Sequence, residues 1–197
     1  MNRIICLTGG IGSGKTTVSN FFVEAGIPVY IADERAKAVM DEAELIAAVQ
    51  ALFDTPVILD NQRLNRPKLR ELVFKDAELL GRLNAVVHPA VAEDFSKWLQ
   101  QHQDAAFVIK ESAILFESKT EGLCDEIILV TAPEEVRIQR VMLRDGVSRE
   151  NVENIMINQI KDQEKRQYCH YIIENTDKSK TKLQVEKVIS NILTKNK

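Results

Sequence analysis

Glycines and one lysine near the start of the chain form a pattern typical of phosphate binding. The segment Thr8–Thr17 reads TGGIGSGKTT, and Gly9, Gly14, Lys15 and Thr16 fit the spacing G-x-x-x-x-G-K-[ST]. Glycines let the backbone curl so that successive N–H groups point at an anion. Lys15 would reach the outer phosphates of a nucleoside triphosphate, and the Thr16 hydroxyl would help to hold Mg²⁺. The alternative is a plain glycine-rich turn between a strand and a helix.

Asp33 is a candidate general base for phosphoryl transfer. It follows the apolar run VYIA, which predicts a strand that ends just before it. A carboxylate at the carboxyl end of a parallel strand could accept the proton of an acceptor hydroxyl and orient it. The same residue would also serve as the N-cap of a helix predicted to begin at Glu34. Its position leaves both roles open.

Three arginines recur at helical spacing after the fourth predicted strand. Arg137, Arg140 and Arg144 would line one side of a helix. Surface arginines are usually solvated or paired, and Glu134 could pair with Arg137. Alternatively, a helix pair hinged around Gly146 resembles a lid that brings guanidinium groups onto developing phosphate charge. We favour Arg140 and Arg144 for that role over Arg137.

The histidines offer one further candidate. His88 precedes Pro89, which predicts that a helix ends there, because the residue before a proline is pushed out of the α region. His88 would either mark this break or face a phosphoryl acceptor, and the sequence leaves the choice open. His102 and His170 have no neighbours typical of a metal site, so we assign them structural or surface roles.

Alternating strand-type and helix-type segments predict an α/β fold with a five-stranded parallel sheet flanked by helices. The strand-type segments are short, apolar and rich in β-branched residues: Ile4–Leu7, Pro28–Ile31, Phe107–Ile109, Ile127–Val130 and Tyr171–Ile173. A capping box from Thr131 to Glu134 predicts the start of a helix that stops at Gly146, and Ser148 would cap a second helix reaching about Gln167.

The stretch between the second and third strands is much longer than a single crossover needs. It predicts an inserted set of helices: Glu34–Phe53, Pro67–Phe74, Ala77–Val87 and Ala90–His102. We therefore expect a single P-loop kinase domain with a core formed by residues 1–32, 105–135 and 168–197. A helical acceptor-binding insertion would cover residues 33–104, and a helical lid would cover residues 136–167.

Composition and charge narrow the class of protein. The 197 residues carry a net charge of −3, which gives no electrostatic case for binding nucleic acid or a membrane surface. No apolar run approaches the length of a bilayer span, and the predicted first strand leaves no room for a signal peptide. Cys6, Cys124 and Cys169 are not at metal-ligand spacing, so we expect reduced thiols in a cytoplasmic protein, with Cys6 packed in the core.

Several nucleotide-binding classes are excluded by motifs that the sequence lacks. The N-K-x-D and D-x-x-G segments of GTPases are missing, as is the L-S-G-G-Q-like segment of transport ATPases. The strand Phe107–Ile109 leads into KESAILFE without an apolar run that ends in a Walker-B aspartate. A small-molecule kinase of the nucleoside-monophosphate-kinase type is what remains.

The chain resembles the dephospho-coenzyme A kinase family over nearly its whole length. The resemblance is carried, in order, by LTGGIGSGKTTVSNFF, ADERA, LNRPKLRELVF, NAVVHP, AILFE, RVMLRDGVS, INQ, EKR and IIEN. Many kinases share the first segment, whereas HP in the insertion and R-x-x-x-R-D in the lid are specific to this family. The resemblance implies that ATP, with Mg²⁺, phosphorylates the ribose 3′-hydroxyl of dephospho-coenzyme A, giving coenzyme A and ADP in the last step of coenzyme A biosynthesis.

The resemblance also implies roles for individual residues. Asp33 would be the general base, while Lys15, Arg140 and Arg144 would stabilise the transferring charge. His88 and the helices around it would contact the acceptor. ATP would be bound by the P-loop residues Gly12, Ser13, Gly14, Lys15, Thr16 and Thr17, with Thr16 as the residue at the metal. The chain departs from the common family pattern at Asn65, Ala113 and His170.

Two other functions stay open at this point. A kinase of the same fold could act on another small hydroxyl acceptor, such as a nucleoside monophosphate or a sugar acid. A nucleotide-binding switch without catalysis is the second, but a pure binder would need no base such as Asp33. We expect ATP and dephospho-coenzyme A as partners, no nucleic acid or membrane, and a monomer or small homo-oligomer.

Overall fold

The computed structural model describes residues 3–74 and 76–195 of the chain. Its internal contacts divide the chain into two compact units. One unit, called the sheet unit below, comprises Met1–Ile31 and His102–Lys197, and the other, called the helical unit, comprises Ala32–Gln101. Within the described residues, we find no helix that is both long and apolar enough to cross a membrane.

The sheet unit contains a five-stranded parallel sheet in the order β2-β3-β1-β4-β5. The strands are β1 (Arg3–Thr8), β2 (Val29–Ile31), β3 (Phe107–Glu111), β4 (Glu126–Thr131) and β5 (Tyr171–Glu174). This confirms the predicted fold class. Because β1 is the central strand, its carboxyl end lies between the ends of β3 and β4, where open α/β sheets bind their ligands.

Side-chain alternation along β1 supplies two cores, one on each face of the sheet. Ile5 and Leu7 are fully buried on the face that is covered by α1 (Lys15–Glu24) and by the C-terminal helix, Lys178–Thr194. Cys6 points to the opposite face and packs with Leu115 and Ile127, which confirms its predicted core position. The first strand therefore sits in apolar surroundings on both sides, and this fixes the loop that follows it.

The cysteines correct one expectation. Cys6 and Cys124 form a disulfide with Cα atoms 5.6 Å apart, so they are not the pair of reduced thiols that we expected. Their spacing of 118 residues gave no hint of pairing, because strand β1 and the segment before β4 become neighbours only through the sheet. Cys169 is free and half-buried.

The helical unit comprises α2 (Ala32–Val39), α3 (Ala43–Gln50), α4 (Arg66–Phe74) and α5 (Ala77–Gln101). Asn65 caps α4 as its position suggests, since its Oδ1 accepts a hydrogen bond from the Lys68 N–H at 3.1 Å. The predicted single helix Glu34–Phe53 is wrong, because a turn separates α2 from α3.

The predicted helix end at His88-Pro89 is also wrong. Helix α5 continues through Pro89, which lies in its interior. Apolar residues from both sides of the proline pack into the same core, Val86 and Val87 before it and Ala90 and Val91 after it. This shared packing offsets the backbone hydrogen bond that a proline removes from a helix.

Beyond β4 the chain forms α6 (Glu134–Asp145), α7 (Arg149–Ile157) and α8 (Asp162–Lys165), and the C-terminal helix is α9. Helix α6 ends at Gly146, as predicted, with a left-handed backbone at φ 67°. Ser148 caps α7 as predicted, and its hydroxyl accepts a hydrogen bond from the Asn151 N–H. The second helix stops at Ile157, however, and does not reach Gln167.

Candidate active site

The loop between β1 and α1 has the curled backbone that phosphate binding requires. Gly12 and Gly14 adopt left-handed conformations with φ of 76° and 90°, which glycine reaches without the penalty a Cβ would add. Gly14 is the N-cap of α1, so the unpaired N–H groups of the first helical turn begin next to Lys15. The Lys15 ammonium donates a hydrogen bond to the Gly9 carbonyl at 2.9 Å.

Close contacts explain why these glycines cannot be larger. A Cβ at Gly12 would clash with the carbonyl oxygen of Arg137 in α6. At Gly14 the left-handed backbone would strain any larger residue, and a Cβ there would also meet the Asn175 side-chain nitrogen, just past β5. The P-loop is therefore packed tightly against segments from the second half of the sheet unit.

Arg140 packs beside this loop. Its Nη2 donates to the Asn175 carbonyl at 2.9 Å, and its Nη1 lies within 3.5 Å of the Gly12 and Ser13 carbonyl oxygens. The guanidinium group thus stands next to the backbone that would face a phosphate chain. These contacts hold the Arg140 side chain against the loop.

The predicted phosphate-binding residues surround one cavity of about 300 Å³ in the sheet unit. Its lining consists of Gly12, Gly14, Lys15, Thr16, Thr17, Arg140, Val141 and Arg144. Ser13 is a predicted ATP-binding residue that does not line this cavity; it is buried, and its carbonyl accepts a hydrogen bond from Asn175. The cavity therefore brings three cationic side chains together around the first turn of α1.

Arg144 is the most open of these cations. Its side chain is 63% exposed and makes two hydrogen bonds of 2.7 Å with the adjacent Asp145. Those hydrogen bonds raise the pKa of Arg144 and lower the pKa of Asp145. Arg144 is therefore charged at any working pH, and it lines the cavity with a largely exposed guanidinium group.

Arg137 has a larger structural role than the sequence indicated. It is buried, its Nε donates to the Ile11 carbonyl at 2.9 Å, and its Nη1 donates to Asp162 at 3.1 Å. Asp162 also accepts a hydrogen bond from the Thr131 hydroxyl at 2.9 Å. Thr131 is therefore not the helix cap that we expected; Pro133 occupies the N-cap position of α6.

Two further residues near the cavity were missed by the sequence analysis. Asn175 joins the loop after β5 to the P-loop, since its side chain donates to Ser13 and accepts from the Thr181 hydroxyl. Glu111, the last residue of β3, is buried with its carboxylate 3.8 Å from the Lys15 ammonium. The sequence pointed to Asn175 through its place in the segment IIEN. It pointed to Glu111 through a charged residue at the end of a buried strand.

Asp33 and His88 belong to the helical unit. Asp33 is exposed in the first turn of α2, which begins at Ala32, so it is not the N-cap of that helix. Its carboxylate at this end suits the positive end of the helix dipole. His88 is exposed in the interior of α5.

Comparison with known proteins places this arrangement in one family. The family model described as dephospho-CoA kinase matches residues 3–181. The dephospho-CoA kinase of Fusobacterium nucleatum is 36% identical over 87% of this chain and 89% of its own length. That of Porphyromonas gingivalis is 39% identical over 81% of this chain and 78% of its own length.

Solved structures agree with this placement. A crystal structure from Thermus thermophilus has a TM-score of 0.85 and 36% identity, covering 98% of this chain and 97% of its own. The dephospho-CoA kinase from Campylobacter jejuni has a TM-score of 0.71 and 27% identity over the full length of both chains. A shikimate kinase from Acinetobacter baumannii, at 17% identity and a TM-score of 0.53, shares the fold. From the family match and these relatives, the chain belongs to the dephospho-CoA kinase family.

Proposed function

We infer that this chain transfers the γ-phosphoryl group of ATP to the ribose 3′-hydroxyl of dephospho-coenzyme A, giving coenzyme A and ADP. The observation that carries the inference is the cavity at the start of α1, lined by Lys15, Arg140 and Arg144, in a member of this kinase family. Phosphoryl transfer needs positioned phosphates and cationic stabilisation more than it needs covalent chemistry. We expect the cavity to serve both purposes.

We propose that Lys15 binds the outer phosphates while the backbone N–H groups from Gly12 to Thr17 cradle them. Arg140 is already held by carbonyl oxygens and Arg144 is exposed at the rim of the cavity. Together the three cations would neutralise charge that spreads over the transferring group. Arg140 would contribute from beside the P-loop backbone, and Arg144 from the exposed rim of the cavity.

Mg²⁺ is a proposed cofactor of this reaction. The exposed Thr16 hydroxyl lines the cavity one residue after Lys15, which suits a hard oxygen ligand for Mg²⁺. When held there, the ion would neutralise negative charge on the phosphates. Among the residues that the structure describes, there is no group of three or more His, Cys, Asp or Glu side chains that could hold a metal ion.

Asp33 is the proposed general base, and His88 a proposed contact of the acceptor. Asp33 lies two residues past the end of β2, exposed at the start of α2, so its carboxylate is open to a substrate hydroxyl. A base at this position would take the proton of the 3′-hydroxyl as the new P–O bond forms. Both roles rest on the matching positions of the family pattern.

The test is a coupled assay for ADP release with ATP, Mg²⁺ and dephospho-coenzyme A, beside AMP, shikimate, gluconate and water as acceptors. Release that depends on dephospho-coenzyme A alone, with coenzyme A as the product, supports the proposal. Faster turnover of another acceptor would keep the fold and reject this substrate. ATP binding without ADP release in any reaction would support a nucleotide-binding switch instead.

Asp33→Asn tests the base. We expect a rate loss of about a hundredfold to ten-thousandfold while ATP binding persists, as is typical when a general base is removed. Glu34→Gln is the matched control, because Glu34 is an exposed carboxylate in the same helical turn. Near-normal turnover of Asp33→Asn would reject Asp33 as the base and leave it only a structural role in the first turn of α2.

We further propose a cytoplasmic monomer or small homo-oligomer. In a reducing cytoplasm the Cys6–Cys124 pair would be held as thiols, so the redox state and the compartment can be tested together. Alkylating intact cells before lysis would trap three modified cysteines in a cytoplasmic protein and one in an oxidising compartment. Light scattering on the purified protein would give its mass in solution.

A further inference from the structure

Ile11, in the middle of the P-loop, is held from three directions by segments that follow β4. Its N–H donates to the Gln159 side-chain oxygen at 2.9 Å. Its carbonyl accepts from the Arg137 side chain, also at 2.9 Å. Its side chain packs on the apolar cluster of Ile138, Val141 and Val152 between α6 and α7. The P-loop is thus fixed at its centre by the segments that form the proposed lid.

The residue that follows Gln159 is held in place by an ion pair whose lysine is buried. This residue, Ile160, donates its N–H to the Glu117 carboxylate at 3.1 Å. The same carboxylate oxygen lies 3.0 Å from the ammonium group of Lys165, whose side chain is fully buried. The backbone that presents Gln159 to Ile11 is therefore anchored to the sheet unit independently of the P-loop.

The hydrogen bond from Ile11 to Gln159 restrains the P-loop at a point where its backbone could otherwise rotate. Gly10 and Gly12 flank it, and glycines on both sides let a peptide unit rotate more freely than other residues would. The Gly10 carbonyl also accepts a hydrogen bond from the Ser13 N–H, which closes the turn that leads into Gly14. The hydrogen bond from the Ile11 N–H to Gln159 and the one from Ser13 to Gly10 therefore together restrict the rotation that the two glycines would otherwise allow.

We propose that Gln159 is a positioning residue for phosphoryl transfer. Its side-chain oxygen holds the Ile11 N–H and so sets the P-loop in the conformation that receives the phosphates of ATP. It acts through Ile11 and does not touch the nucleotide. The inference deepens the proposed function, and it gives a role to the INQ segment that the motif analysis left without one.

The test compares two substitutions of similar length. Gln159→Met removes the acceptor, whereas Gln159→Glu keeps an oxygen that can accept the Ile11 N–H. We expect Gln159→Met to raise the Kd of ATP and to lower kcat/KM for ATP by roughly tenfold to a hundredfold, the scale of a misplaced binding group. The KM for dephospho-coenzyme A should stay unchanged, and Gln159→Glu should recover most of the ATP affinity.

Controls separate positioning from general destabilisation. Gln163→Met places the same side chain at an exposed site on the same segment and should leave ATP affinity and Tm unchanged. Slow exchange of the Ile11 amide hydrogen in the unaltered protein is expected, and it tests the hydrogen bond even if Gln159→Met does not fold. ATP affinity in Gln159→Met within twofold of the unaltered protein, equal losses in both Gln159 variants, or fast exchange at Ile11 would overturn the proposal. ATP binding is measured without an acceptor, so a wrong acceptor assignment leaves this test intact.

Discussion

Replacing Arg137 by methionine measures how strongly α6 depends on its buried ion pair. The side chains of Arg137 and Asp162 are only 10% and 15% exposed, and their closest atoms are 3.1 Å apart. Methionine fills similar space but removes the positive charge beside the Asp162 carboxylate. The hydrogen bond from the Thr131 hydroxyl to that carboxylate is kept. A buried charge that loses its partner destabilises a protein strongly, typically by about 3–5 kcal/mol.

This magnitude can be followed by thermal and urea unfolding. For a chain of this size, 1 kcal/mol shifts Tm by roughly 2–4 °C, so Arg137→Met should lower Tm by roughly 6–20 °C. Arg149→Met is the matched control, because Arg149 forms exposed ion pairs with Glu135 of α6 and with Glu153 of its own helix, α7. Exposed pairs contribute little, and this control should change the free energy of unfolding by less than about 1 kcal/mol.

A double-mutant cycle then tests the reasoning itself. Asp162→Asn removes the carboxylate charge, so in the double variant Arg137→Met with Asp162→Asn no unpaired charge is left buried. We expect the double variant to be more stable than Arg137→Met alone, since isosteric removal of a buried pair is often close to neutral. If the two single changes simply add, the pair is not coupled and the argument from an uncompensated charge is refuted.

Three further predictions follow from the same structure. Gly12→Ala should abolish measurable ATP binding in calorimetry, because its Cβ would meet the Arg137 carbonyl oxygen, whereas Gly26→Ala, at a similar φ of 78° but with nothing within 4 Å, should leave ATP affinity unchanged. Burial raises the pKa of Cys169 to about 11, so its alkylation rate should keep rising well above pH 9; a plateau near pH 9 would contradict this. Burial alone would raise the pKa of Glu117, but hydrogen bonds from its own backbone and its lysine partner outweigh burial and lower it. Its stabilising effect is therefore present above the ordinary value of 4.5 and lost as pH falls through the lowered pKa, so the stability gap between the unaltered protein and Glu117→Gln should close in acid urea titrations.

Local sequence patterns were sufficient to predict the five strands, because each is an apolar, β-branched run that needs burial on both faces. These local patterns could not predict the first and last residues of each strand. Glu126 begins β4 although it is charged, since Arg3 and Lys195 pair with it at 2.8 and 2.9 Å. These partners lie far away in the sequence and become neighbours only in the folded sheet.

The site shows the same limit. Lys15 was identified because the glycines and the threonine that define the P-loop pattern lie beside it in the sequence, and a local pattern is enough for that. Arg137 was undervalued because Glu134, three residues away, looked like an adequate partner. Arg137 instead donates hydrogen bonds to Ile11 and Asp162, and helical periodicity does not reveal contacts between residues this far apart in the sequence. Pro89 misled for a related reason, because the packing that carries α5 through it is tertiary.

The bond between Cys6 and Cys124 closes a covalent ring of chain that contains the whole helical unit, residues 32–101. A protease that cuts once inside this ring would not release a fragment, because both new ends stay joined through the sulfurs. Such a nicked molecule would run as one species on a non-reducing gel and as two after reduction. One cleavage within the helical unit would therefore leave both of its parts covalently attached to the sheet unit.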